Sequence, residues 1–159
     1  MPSTSAVSDL RTSNAADVEY VKHGESLLAI ILPANFRDPG IRFFTPNDFS
    51  QQLACMCHPS GKIIFPHVHN QVPREVRYTL EVLFIKRGKV RVDFYDESEQ
   101  YLESRILFTG DVILLAAGGH GFEVLEETEM IEVKQGPYAG EADKRRFEGI
   151  SAENVRFRR

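Results

Sequence analysis

The feature that most limits what this chain can fold into is a succession of short apolar runs separated by turns rich in Gly, Asp, Ser and Pro. EVLFIKRG, VRVDFY, YLESRILF, GDVILLAAGG, HGFEVLEE and TEMIEVKQ follow one another at near-regular spacing between Glu81 and Gln135. Runs of this length bounded by turn residues are strands, and many of them in series make an antiparallel sandwich or barrel. Val90, Val92 and Phe94 alternate with Lys89, Arg91, Asp93 and Tyr95, which is the period of a strand dry on one face and wet on the other. The expected fold class is therefore all-β. No helix of consequence is needed before Gly136, and EADKRRFEG has room for one short helix ahead of a solvated, polar tail.

Upstream, VEYVKHGESLLAIILP reads as two strands around the turn HGES, and Gly40 to Phe44 as a strand leading into a turn. SQQLACMCHPSGKIIFPHVH reads as a hairpin, with a strand from Leu53 to His58, the turn PSG and a second strand that carries His67 and His69. Residues 1–17 are rich in Ser, Thr, Ala and Asn without a sustained period, so a flexible arm is expected there. One domain is expected over 18–140, with a C-terminal helix or tail over 141–159.

Composition excludes several functions. A net charge of −4 and a pI near 5.7 do not suit a general nucleic-acid binder, which needs excess Lys and Arg to displace counterions. No apolar stretch reaches the length of a membrane span, and the N-terminus lacks the apolar run of a signal peptide. A cytoplasmic protein with neither nucleic-acid nor membrane partners is expected. Cys55 and Cys57 share one strand face, a poor geometry for a mutual disulfide, and are read as reduced and packed in the core.

The chemistry-bearing residues centre on His67 and His69. Positions two apart on a strand face the same way, so both imidazoles can reach one metal ion. Glu81 begins the next strand, and His120 follows the turn AAGG at the head of a later one. Three imidazoles and a carboxylate suit a divalent transition metal such as iron, manganese, nickel or zinc. Glu75 lies nearer the histidine pair in sequence and is the rival carboxylate; His23, in a turn, and His58, on the alternate face from the cysteines, rank lower. Between His69 and Glu81 lies a loop with Arg74 and Arg77, whose guanidinium groups suit an anionic group on a small-molecule ligand.

These residues resemble the cupin superfamily. Gly61 is followed by five residues and His67-Val-His69, and Glu81 by six residues and Gly88, as in the first cupin motif. Gly110 through Gly118-Gly119-His120 is similar to the second, with Ala116 at the usual proline, Val124 at the common asparagine and a longer gap from His69 to Glu81. Only Glu81 keeps the family distance to a glycine. The resemblance, over residues 50–135, implies a double-stranded β-helix, or jelly-roll barrel, with a metal held by His67, His69, Glu81 and His120. It further implies a homodimer and an enzyme with isomerase- or epimerase-like chemistry on a sugar or sugar acid. A non-catalytic metabolite-binding or sensory protein and an iron-dependent dioxygenase are the alternatives it leaves open.

Overall fold

The computed structural model describes residues 16–158, so most of the expected N-terminal arm lies outside the described residues. Among them the strands run in the order β1 (Glu19–His23), β2 (Ser26–Leu32), β3 (Gly40–Phe43), β4 (Ala54–Cys57), β5 (Glu81–Tyr95), β6 (Tyr101–Phe108), β7 (Val112–Leu115) and β8 (Gly119–Lys134). The main sheet has the order β1-β2-β7-β5-β6, with β8 pairing β5; β3 and β4 form a separate antiparallel pair. The all-β expectation holds, and the strongly curled sheet makes a half-barrel. No described helix is long and apolar enough to cross a membrane.

β2 and β7 are apolar without alternation because both of their faces are covered. Ala29, Ile31, Ile113 and Leu115 join Leu83, Ile85, Val90, Val92 and Phe94 in the inner cluster. Ile30 and Leu114 turn to the other side, against Phe36 and Phe44. Asp111 fixes the β6–β7 turn: its carboxylate, fully buried, accepts the amides of Ala34 at 2.9 Å and Phe108 at 2.8 Å. Buried carboxylates persist where backbone amides satisfy them in this way.

Three sequence expectations need correction. The run EVLFIKRG does not end a strand at Gly88: β5 continues through it to Tyr95, and HGFEVLEE and TEMIEVKQ are likewise one strand, β8. The β5–β8 register shifts between Ile85 and Arg87, Arg87 and Lys89, and Lys89 and Val90, so the ribbon bulges and bends there instead of stopping. Second, the alternate face of β5 is not wet. Arg91, Asp93 and Tyr95 are buried, and a C-terminal strap over residues 147–157, itself exposed at most positions, is tied to the tyrosines at this end of the sheet. Ile150 N donates to the Tyr95 hydroxyl at 2.8 Å, Arg156 N to that of Tyr101 at 2.8 Å, and Ser104 N to Arg156 O at 2.9 Å. On that face Arg91 grips Asp93 with two hydrogen bonds of 2.8 and 3.0 Å. Its guanidinium is held charged above the ordinary arginine value, chiefly by the Asp93 hydrogen bonds and against burial.

Third, the hairpin expected at PSG is absent. β4 pairs with β3 instead, and residues 58–80, including the run from Gly61 to His69, form no strand. The short helix expected over EADKRRFEG is a single 3₁₀ turn, Gly140–Asp143. Cys55 and Cys57 are free, as expected; Cys55 packs beside the outer cluster, whereas Cys57 is exposed.

Gly88 is where the bend concentrates. Its φ is +100°, and a Cβ there would collide with the Glu127 carbonyl and with Thr128. Gly88→Ala should destabilise the fold by about 2–5 kcal/mol, combining positive-φ strain with overpacking. Urea denaturation measures this, and a loss below about 1 kcal/mol would mean that the ribbon bends without needing a glycine.

Candidate functional site

The bend has a direct consequence for the site. Glu81 opens β5 and pairs with Lys134, while His120, near the start of β8, pairs with Phe94 at the far end of β5. Laid flat, these ends would be separated by roughly 40 Å at the rise of a strand. In the curled sheet the two side chains meet, His120 Nε2 lying 3.2 Å from Glu81 Oε2. Glu81 follows the parity of Leu83 and Ile85, and His120 that of Phe94, so the pair stands at the rim of the inner apolar cluster. Side-chain exposures of 16% for Glu81 and 29% for His120 leave the pair half-buried but reachable. The Phe122 ring flanks His120 with centroids 5.7 Å apart.

The Glu81 carboxyl is held below its ordinary value. The His120 hydrogen bond is the largest cause; burial opposes it, and the positive charges of His120, Lys134 and Lys144 add to the lowering. Sequence reasoning missed both lysines. Lys134 is legible only once the β5–β8 register is known, and Lys144 comes from the segment after the last strand, where no local pattern points to the site.

His67 and His69 stay together but apart from this pair. Their rings meet edge to face, with centroids 5.2 Å apart, and His67 Nδ1 lies 3.0 Å from its neighbour Phe65 O. Both are exposed, in the segment that forms no strand. Among the described residues no three His, Cys, Asp or Glu side chains converge into a group that could hold a metal ion. Within one chain the expected ligands are thus two separate pairs, His67 with His69 and Glu81 with His120. Glu75 joins neither: it pairs with Arg77 at 2.9 Å, both side chains well exposed. Arg74 is exposed on the same loop. His58, set aside by the alternation argument, has its Nε2 buried without a hydrogen-bond partner. A groove of about 280 Å³, lined by His23, Glu103, Arg156 and Arg158 among others, includes none of these ligand candidates.

Searches against family models, curated proteins and solved structures found no match for the chain. What the site can do is therefore read from its chemistry. A carboxylate beside an imidazole at the edge of an apolar hollow is an acid–base pair: the carboxylate orients the ring and stabilises its protonated form.

The lowered Glu81 value fixes the sign of a pH effect. A carboxyl depressed on folding adds stability above its unfolded value near 4.5, and that contribution is lost as pH falls through the folded value. In His120→Ala the Glu81 titration, followed by carboxyl-carbon NMR, should move upward, and this part of the acid-induced stability loss should disappear. An unmoved titration would show that the imidazole is not what holds the carboxylate charged.

Proposed function

We propose that this protein is a cupin-type enzyme that isomerises or epimerises a small polar substrate, a sugar or sugar acid. The Glu81–His120 pair at the rim of the apolar half-barrel carries the reading. Isomerisation next to a carbonyl asks for a group that removes a carbon-bound proton and returns it to the neighbouring carbon or the opposite face. Such a reaction balances without an external oxidant or reductant. His120 takes and returns the proton as the basic member of the pair. Glu81, kept charged, orients the ring and stabilises the imidazolium. Arg74 and Arg77, on the exposed loop before Glu81, bind an anionic group of the substrate.

Incubation with a panel of keto and aldo sugars and sugar acids in deuterium oxide tests this reading, with deuterium incorporation followed by mass spectrometry. One panel member should exchange a carbon-bound hydrogen. His120→Ala should slow that exchange by about 10²–10⁴-fold, the usual worth of a general acid–base group. Replacing both arginines with Ala should weaken binding of a charged member by about 1.5–3 kcal/mol. Ligand binding without exchange would make the protein a sensor, and oxygen consumption with iron present would make it a dioxygenase.

The donor set also suits a divalent transition metal, with His67, His69, Glu81 and His120 as its ligands. An ion on His120 and Glu81 would occupy the lone pairs that the proton transfer above uses, so this is a second reading of the site and not an addition to the first. Elemental analysis of untagged protein should find iron, manganese, nickel or zinc, and His67→Ala should lower its content severalfold. Full occupancy in that variant would remove His67 from the ligand set.

A further inference from the structure

The segment from residue 59 to residue 78 is exposed at every position, yet its sequence is not that of a solvated loop. Ile63 is 69% exposed, Phe65 80% and Val68 88%, with Ile64, Val72 and Val76 also open to solvent. Its hydrogen bonds are local: Lys62 N to Pro59 O at 3.2 Å, His67 Nδ1 with Phe65 O at 3.0 Å, and Arg77 to Glu75 at 2.9 Å. An apolar segment whose backbone forms no ladder with any described strand has the composition of a strand that lacks its neighbour.

A candidate neighbour is on the same chain's surface. β8 pairs with β5 along one edge, and no described strand pairs with the other. It is exposed over most of its sixteen residues, including Phe122, Val124, Met130, Ile131 and Val133. A long free edge with apolar side chains is a template for strand addition.

The exposed area says how much must be covered. The chain exposes 11583 Å², whereas a compact 18.0 kDa chain exposes about 8,000 Å². With the residues outside 16–158 given the full area of an unfolded chain, and the compact reference reduced to the mass that remains, an excess of about 1,700 Å² per chain is left. Doubled, that is about 3,400 Å², within the range of obligate homodimers at roughly 2,000–5,000 Å².

We propose that two copies of this chain exchange residues 61–72, each laying this segment as an added strand along the free edge of β8 in the other. The exchange pairs the backbone of both elements, covers the open side of each half-barrel, and sets His67 and His69 of one subunit beside the strand that carries His120 of its partner. The inference stands on exposure, edge pairing and area, and does not depend on the reaction assigned to Glu81 and His120.

Two measurements test it. Sedimentation at tens of micromolar should give twice the 18.0 kDa chain mass. Ile64→Asp with Phe65→Asp, at positions exposed in their own chain, should give the monomer mass with a circular dichroism spectrum that loses only the strand contribution of residues 61–72 and keeps that of the main sheet. A wild-type monomer, or a double variant that stays dimeric, would overturn the proposal. Next, unlabelled and heavy-nitrogen-labelled protein are unfolded, mixed and refolded, and then joined with an amine-reactive cross-linker. Cross-links from Lys62 to Lys86, Lys89 or Lys134 should appear as mixed-isotope pairs. If they occur only within one isotope, the segment folds back on its own sheet and the exchange is wrong; their absence would equally overturn it.

Discussion

The bend of the β5–β8 ribbon at Gly88 is the constraint on which the rest of the structure depends. Two long antiparallel strands without it would make a flat, twisted ribbon with Glu81 and His120 at opposite ends. The positive φ at Gly88 and the register shifts around it fold the ribbon on itself instead. That places Val90, Val92 and Phe94 in the same cluster as Leu83 and Ile85, which precede the bend. The curvature is sustained by packing, because the two arms of β5 share one hollow filled by Ala29, Ile31 and Ile113. The Glu81–His120 contact is a product of this curl and not its cause: one hydrogen bond contributes about 1 kcal/mol, whereas each buried Ile, Leu or Phe side chain contributes roughly 1.5–3 kcal/mol.

Protection is uneven around this hollow. On one side the β1-β2-β7 layer and the cluster around Phe36 and Phe44 cover both faces of the sheet. On the β6 side the C-terminal strap bonds Tyr95, Tyr101 and Ser104, and the hydrogen bonds of Asp93 with Arg91 and Ser104 satisfy charges that would otherwise be costly to bury. β8 and residues 59–78 have no comparable cover. Both keep large apolar side chains open to solvent, among them Phe65, Val68, Val124 and Ile131.

The order of strands was largely legible in the sequence because turn residues punctuate it: β1, β2, β3, β4, β6 and β7 fall within the runs that HGES, PSG, DESEQ and GD separate. Gly88 was misread because a glycine that ends a strand and one that bends it look alike in one dimension; only the collision a Cβ would make with β8 tells them apart. The wet face assigned to Arg91, Asp93 and Tyr95 failed because alternation reports residue type, whereas burial there depends on tertiary contacts such as the bond to Tyr95 from Ile150, 55 residues away in sequence. The pairing of Glu81 with His120 was implied by motif spacing, and Lys134 and Lys144 could not have been. The strand expected to carry His67 and His69 has the right side-chain alternation but no partner among the described residues, and pattern alone does not supply a partner.

The same incompleteness bears on the chemistry of the rim. An acid–base pair works best where water is scarce, because attraction between a carboxylate and an imidazolium falls as the surroundings approach the dielectric of water. Glu81 and His120 stand at the rim of the apolar cluster and remain partly open to solvent. Burial of Glu81 works against its charge, and the His120 hydrogen bond outweighs that burial at its present depth. Cover laid along β8 would deepen both effects together, raising the cost of an unpaired carboxylate and the strength of its bond to His120. A strand that brought imidazoles with it would add proton carriers or metal donors in the same step. Assembly and chemistry are then linked through one element, since the strand that lacks a neighbour is the strand that carries His120.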